Sequence, residues 1–388
     1  MKEKKFNINL ILVLFPIMVL IGKIIRWTIL KAVLVDMSIG NGMIDRILYD
    51  TGGLTSFSET GISDAAGNAS VFFRVINVFG LTTTKQFEIY ISVIWNIIVV
   101  GIILKSKKTL NMMQMLFLTT SITVLNIWDF CLAKEPVQLL FFLVIYYILL
   151  NEKLNIRYKY ILSILILLIS VLYYRIYYIL IIAFIVIVVI ICNNWLLKVD
   201  KIKFKHIIKL LIMLSIIYFL MLNFIKIIDL KSYNELIRVR TRVGIANTQM
   251  INIFKSTNLI LFTLDYLIMI IRMLFPLELI PMGIKYWPYV GYQILISYFV
   301  LKNIKNIKEN KKTQNFALYT YIAFLLGSAT FEPDFGSWVR HEVAIFPILI
   351  IITGIVVPNE KQGDKNEKNI NKNNNENIIH NVKDIKIS

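Results

Sequence analysis

IYYILIIAFIVIVVIICNNW, residues 176–195, decides the fold class of this chain. From Ile179 to Cys192 every side chain is apolar. A bilayer core about 30 Å thick is spanned by about 20 apolar residues in a helix. A spanning β-strand would show short alternating segments instead, and continuous Ile, Leu and Val argue against it. Working outward, the pattern recurs near residues 7–26, 88–104, 110–131, 136–150, 158–174, 207–227, 258–275, 286–302, 314–330 and 342–357. Among 388 residues 57% are hydrophobic, and the mean hydropathy is +0.69. An ordinary soluble domain does not have that composition. The sequence therefore predicts an all-α, polytopic integral membrane helical bundle.

Charge sets the topology. A net charge of +18 on a soluble protein would suggest nucleic acid. Here the basic residues cluster beside the apolar runs and read as cytoplasmic markers, so no nucleic-acid partner is expected. The clusters are Lys2, Lys4 and Lys5; Lys105, Lys107 and Lys108; Lys153, Arg157 and Lys159; Lys198 through Lys209; and Lys302 through Lys312. The first run follows positive charge like a signal peptide, but no small-residue cleavage site follows it, so an uncleaved first helix is expected. Alternating crossings satisfy the first four clusters, yet strict alternation through all eleven runs would put Lys302 to Lys312 outside.

One late segment must fail to cross. The run 258–275 and its continuation are interrupted by Arg272, Pro276, Glu278, Pro281, Gly283 and Pro288. Irregular backbone at membrane depth is tolerated only where protein buries it or a cavity lines it. The expectation is about ten transmembrane helices plus one broken or re-entrant segment within 258–285. They form a single transmembrane domain over residues 1–357 with outer loops 27–87 and 228–257. The tail 358–388, rich in Asn and Lys, is expected to be disordered and cytoplasmic.

That orientation puts the chemically distinctive segments on one outer face. FEPDFGSWVRH, residues 331–341, packs both charge signs and three aromatics between apolar runs. Charge at a bilayer boundary is costly unless it is solvated, paired or holding a polar ligand. In YYRIYY, residues 173–178, Arg175 runs against the cytoplasmic bias among four Tyr. Its planar fork suits phosphate and pyrophosphate, and rings such as Tyr174 and Tyr177 suit sugar faces. Trp128, Asp129, Lys134, Glu135 and Pro136 form a third group. Lys134 and Glu135 there read either as an interfacial ion pair or as a lysine neutralising a lipid-linked phosphate.

Arg238, Arg240 and Arg242 in ELIRVRTRVG alternate, so an extended segment presents all three on one face. They fit a lipid-linked diphosphate, an acidic sugar or phospholipid headgroups. Arg272 in the interrupted element needs a partner, with Glu278 and Asp265 nearest in sequence. The first outer loop carries Asp36, Asp45 and Asp50, then FFRVINVFGL at 72–81, which suits an interfacial amphipathic helix. Cys131 and Cys192 read as packing residues, and no metal or cofactor is expected. No P-loop, GxGxxG or HExxH motif occurs, so ATP-driven transport, dinucleotide chemistry and zincin proteolysis lack support.

KEPVQLLFF at 134–142, YYRIYY at 173–178, RMLFPLEL at 272–279 and EPDFGSWVRH at 332–341 together resemble the Wzy-type polymerases of bacterial surface-polysaccharide loci. The resemblance covers most of residues 70–357. It implies a multi-pass protein of the bacterial cytoplasmic membrane that polymerises undecaprenyl-diphosphate-linked oligosaccharides on the outer face, with a flippase and a chain-length regulator as pathway partners. Outer-face arginines of such enzymes engage the diphosphate. The matching residues here are Arg175, Arg238, Arg240, Arg242 and Arg340, with Lys134, Tyr174, Tyr177 and Trp338 beside them. The related O-antigen ligases use a late His, which His341 matches without the surrounding ligase spacing; His341, Glu332 or Asp334 is then the expected base.

Two alternatives stay open. One is a GT-C glycosyltransferase using a polyprenyl-phosphate sugar, with Asp36, Asp45 or Asp50 as its acid. The other is a flippase or exporter of lipid-linked oligosaccharide.

Overall fold

In a bilayer the backbone must satisfy its own hydrogen bonds, and uninterrupted apolar runs do so as helices. The computed structural model describes residues 5–29, 65–81, 84–131, 133–199, 201–228, 248–254, 258–332 and 334–358. The structure is all-α apart from one short ribbon. Its helices are α1 (Ile8–Ile24), α2 (Ala65–Ile76), α3 (Thr84–Leu104), α4 (Met112–Trp128), α5 (Glu135–Leu150), α6 (Ile156–Tyr173), α7 (Tyr178–Asn194), α8 (Phe204–Ile228), α9 (Leu259–Leu274), α10 (Trp287–Lys305), α11 (Lys312–Phe331), α12 (Phe335–Val343) and α13 (Phe346–Ile352). Every apolar run of the sequence carries one of them. Asp36, Asp45, Asp50, Arg238, Arg240, Arg242 and the tail beyond Pro358 lie outside the described residues.

Among the described residues, five helical stretches are long and apolar enough to cross a membrane: Ile8–Thr28, Gln86–Leu104, Ile156–Tyr173, Tyr178–Lys198 and Phe204–Asn223. A sixth is added if α12 and α13, bent by 72°, form one span. Met112–Trp128 and Glu135–Leu150 are shorter apolar helices. The centre of the bundle is α11, almost wholly buried from Thr313 to Thr330, with the fully buried α13 beside it. Helices α1, α3, α6 and α8 expose rows of Ile, Leu and Val outward, including Val13, Ile97, Ile161 and Ile216.

Hydrogen bonds sort the helix ends into two sets. At one end, β1 (Lys5–Asn7) pairs antiparallel with β2 (Thr109–Asn111). Lys107 N–H donates to Ile355 O at 3.0 Å, and Lys311 Nζ donates to Pro358 O at 2.7 Å. The basic clusters around residues 105–108 and 302–312 thus meet the last described residues at that end.

At the opposite end, Lys23 Nζ donates to Phe130 O at 2.6 Å and Arg26 Nη1 to Ile127 O at 2.8 Å. These cations cap the last carbonyls of α4, where the helix dipole favours positive charge. Arg26 also pairs with Glu88 at 2.6 Å. The Asn68 amide bonds Tyr173 O at 2.5 Å, so α2 sits over the end of α6.

The interrupted element differs from its expected form. Helix α9 runs unbroken to Leu274, and the irregular part is a pair of 3-10 turns, Leu277–Leu279 and Ile284–Tyr286, with Gly283 at φ 129°. Thr248 O accepts from Phe335 N–H at 3.0 Å, Ile251 O from Arg272 Nη1 at 2.8 Å, and Asp265 Oδ1 from Ile253 N–H at 2.9 Å. The segment 248–254 therefore runs down α9 from its C-terminal end toward its N-terminal end. Arg272 closes a fork on Glu278, at 2.8 and 2.6 Å, which settles its partner as Glu278 rather than Asp265. A bend of 72° lies between α12 and α13, just before Pro347, whose ring and missing N–H prevent α12 from continuing.

Candidate functional site

Three chain turns converge at the end of the bundle opposite the basic clusters. The first leaves α4 at Asp129 and enters α5 at Glu135, with Pro136 in the opening helical turn where a missing N–H costs nothing. The second joins α6 to α7 through Tyr174, Arg175, Ile176 and Tyr177. The third joins α11 to α12, where the Asp334 carboxylate caps the helix by accepting Ser337 N–H at 2.8 Å. The Tyr174 hydroxyl donates to Lys134 O at 2.7 Å and ties the first two turns together. Gln138 Nε2 donates to His341 O at 3.0 Å and ties the first to the third.

His341 stands at the convergence, buried with Glu135 and Glu332. Its Nδ1 is 2.5 Å from Glu332 Oε1, and its Nε2 is 3.4 Å from Glu135 Oε1. Ser337 donates its hydroxyl to the other Glu332 oxygen. Burial alone disfavours a charged Glu332, but the adjacent His341, Arg175 and the Ser337 hydroxyl outweigh it and hold its pKa down at about 2. Arg175 lies 3.8 Å from Glu135, donates to the Tyr177 hydroxyl, and has the Tyr174 and Tyr177 rings 5.1 and 5.4 Å from its guanidinium carbon. One buried imidazole is thus bracketed by two carboxylates with a buried guanidinium beside them.

Two further cations border the set. Lys134 and Arg340 are half-buried, and among the described residues neither meets a carboxylate within ion-pairing distance. Among the described residues Arg340 donates only Nε, to Gly336 O at 3.2 Å, which leaves its terminal nitrogens available there. Burial, then the neighbouring Arg175, lower the Lys134 pKa, and Arg340 adds to the effect. An anion placed between them would relieve that repulsion. Asp129 is fully buried with neither oxygen hydrogen-bonded, and burial followed by Glu135 pushes its pKa well up against the opposing pull of Arg340 and Arg26.

Of the candidates drawn from the sequence, the structure brings together Lys134, Tyr174, Arg175, Tyr177, Glu332, Arg340 and His341. Asp334 also lies here, with its carboxylate engaged in capping. Trp338 points elsewhere, fully buried with its ring 5.9 Å from Phe324, and offers no exposed face to a sugar.

Glu135 is the residue underread in sequence. It does not pair with its neighbour Lys134 but turns to His341 and Arg175. Its helix-opening position beside Pro136 was a signal, since the first turn of a helix favours an acid held in place. Among the described residues no group of His, Cys, Asp and Glu is arranged to hold a metal ion, and the positive charge among these carboxylates comes from Arg175. No family model matches this chain, and no match is found among curated proteins or solved structures.

Proposed function

We propose that this chain joins undecaprenyl-diphosphate-linked oligosaccharide repeat units on the outer face of the bacterial cytoplasmic membrane. The observation that carries the reading is the pairing of a bracketed imidazole with two cations that lack counter-ions, at the end of the bundle away from the basic clusters. A sugar hydroxyl of the incoming unit attacks the anomeric carbon of the growing chain while the bond to the carrier diphosphate breaks. His341 accepts the hydroxyl proton at Nε2, and Glu332 holds the Nδ1–H so that this nitrogen is free to do so. Glu135 stabilises the imidazolium that results. Lys134 and Arg340 take the charge that develops on the departing diphosphate.

The topology that goes with this reading has ten crossings. They are α1, α3, α4, α5, α6, α7, α8, α10, α11 and the bent pair α12–α13. Helix α9 with residues 248–254 enters and leaves on the outer face. Support comes from the hydrogen bond that joins Thr248 to Phe335 at the end that holds the site, and from the Ser297 hydroxyl bond to Leu274 O, which puts the C-terminus of α9 at mid-length of α10.

The test is polymer length in cells carrying single substitutions, with membrane abundance of each variant as control. His341→Ala is expected to reduce polymer by the 10²- to 10⁴-fold typical of a lost acid–base group. Arg340→Ala is expected to leave single repeat units on the carrier. Unchanged polymer length and yield in both variants would refute the reading. Loss in Asp36→Asn, Asp45→Asn or Asp50→Asn, with Arg340→Ala tolerated, would favour the single-sugar GT-C reaction.

A further inference from the structure

Beside the cationic site runs a second polar cluster of opposite character. Glu342 follows His341 on α12 and is fully buried. Its Oε1 accepts from the Tyr321 hydroxyl of α11 at 2.7 Å and from Gln293 Nε2 of α10 at 2.9 Å. Its Oε2 accepts from nothing, Gln293 Oε1 is equally unused, the Tyr289 hydroxyl has no hydrogen-bond partner, and the Tyr292 hydroxyl faces only Ser121. Glu342 lies within electrostatic reach of all three tyrosines, and Asp129 within reach of Tyr292. Both Asp129 oxygens are also unpartnered.

Buried polar atoms are rarely left unpaired, because each forfeits its hydration without compensation, so a run of them around one side chain signals a polar occupant. The unused atoms are mostly acceptors, and the cations within electrostatic reach, Arg340 and Arg26, face Asp129 rather than Glu342 and Gln293. An anion is therefore disfavoured, and a neutral molecule rich in hydroxyl donors is favoured. Tyrosine rings beside a carboxylate and a carboxamide offer such a molecule apolar faces and acceptors together. The cluster reaches toward the site's own end of the bundle through Tyr289, which lies in the first turn of α10, half-buried and within electrostatic reach of Asp334.

From this we infer that Glu342, Gln293, Tyr289 and Tyr292 form a subsite for an uncharged sugar unit. The sugar hydroxyls bond to Glu342 Oε2 and Gln293 Oε1 while the diphosphate lies at Lys134 and Arg340. As an account of substrate orientation, this rests on the transferase reading; as a sugar site, it does not. The remaining occupant of such a seam is ordered water alone.

The experiment uses the full chain purified in detergent, with ligand-observed NMR of two probes. These are a panel of methyl hexosides and N-acetylhexosaminides, and inorganic pyrophosphate. Wild-type protein is expected to bind at least one glycoside, and Glu342→Gln and Tyr292→Phe to weaken it tenfold or more with pyrophosphate binding unchanged. Retained pyrophosphate binding also certifies that the variants are folded. Arg340→Ala should do the reverse. Glycoside binding unaffected by both seam substitutions, or no glycoside binding by a wild type that binds pyrophosphate, overturns the subsite and leaves water as the occupant. Glycoside binding that depends on Glu342, with no pyrophosphate binding, leaves the subsite standing and refutes the diphosphate reading instead.

Discussion

Glu332 shows how much one side chain's partners decide. Buried without help, it would resist ionisation; with His341 at 2.5 Å it is held charged, and its pKa falls from 4.5 to about 2. A depressed carboxylate stabilises the fold at every pH above its unfolded value. That contribution is lost as pH falls from about 4.5 through about 2. Glu332→Gln should therefore flatten the acid limb of a thermal-stability profile in that window while lowering the melting temperature at pH 7. An unchanged slope between pH 4.5 and 2 would show that the pair contributes nothing. Asp129 has the opposite sign, because its raised pKa makes ionisation unfavourable to the folded state. That residue, Glu332 and His341 were each visible in the sequence as charges near membrane boundaries. Their mutual contacts were not, since His341 and Glu135 are brought together only by the packing of α12 against the start of α5. Glu342 went unread because an acid one residue past a candidate base looks like part of the same loop.

At the scale of elements, α1 and α4 show what hydropathy does not report. Gly22 on α1 lies so close to α4 that an added Cβ would stand 2.7 Å from Thr123 O and 2.8 Å from Asn126 Cβ. The contact lets Asn126 reach α3, where it exchanges amide bonds with Asn96 at 2.9 and 3.0 Å and faces the Ser92 hydroxyl at 3.1 Å. Small residues that allow close approach, and amides that bond across it, are the means by which helices associate where apolar burial cannot discriminate. Gly22→Leu is expected to cost about 1–3 kcal/mol by overpacking. Asn126→Leu should cost less, about 1–2 kcal/mol. Thermal unfolding in detergent ranks them, and a Gly22→Leu variant as stable as wild type would show that the interface yields freely. The positions of the helices were legible because apolar runs set them. The bend between α12 and α13 had a legible cause in Pro347, but its 72° angle is fixed by the core around α13, which no run length encodes.

For the whole molecule, the informative quantity is which loops share an end of the bundle. Lysine clusters at 105–108 and 302–312 fall at the end where β1, β2 and residues 353–358 meet, and the three site turns fall at the other. In the topology proposed above, the positive-inside rule assigns the lysine end to the cytoplasm. The odd number of apolar runs is reconciled with that placement if residues 248–274 go in and come back, as their hydrogen bonds to Phe335, α9 and α10 favour. Cysteine labelling in intact cells tests this directly, since the native Cys131 and Cys192 are both buried and contribute little background. A membrane-impermeant maleimide is expected to label Val78→Cys, beyond α2, and Ile280→Cys, between α9 and α10, both exposed side chains. It should label Lys308→Cys only after the cells are permeabilised. Labelling of Lys308→Cys from outside, with Ile280→Cys protected, would mean that residues 248–274 cross completely and that the site turns do not share the outer face. Labelling of Val78→Cys and Ile280→Cys together can arise only if an even number of crossings separates them. Seven helices, α3 to α9, lie between these positions, so the result requires that an odd number of them fail to cross, and the hydrogen bonds of residues 251–253 along α9 favour α9 as that element.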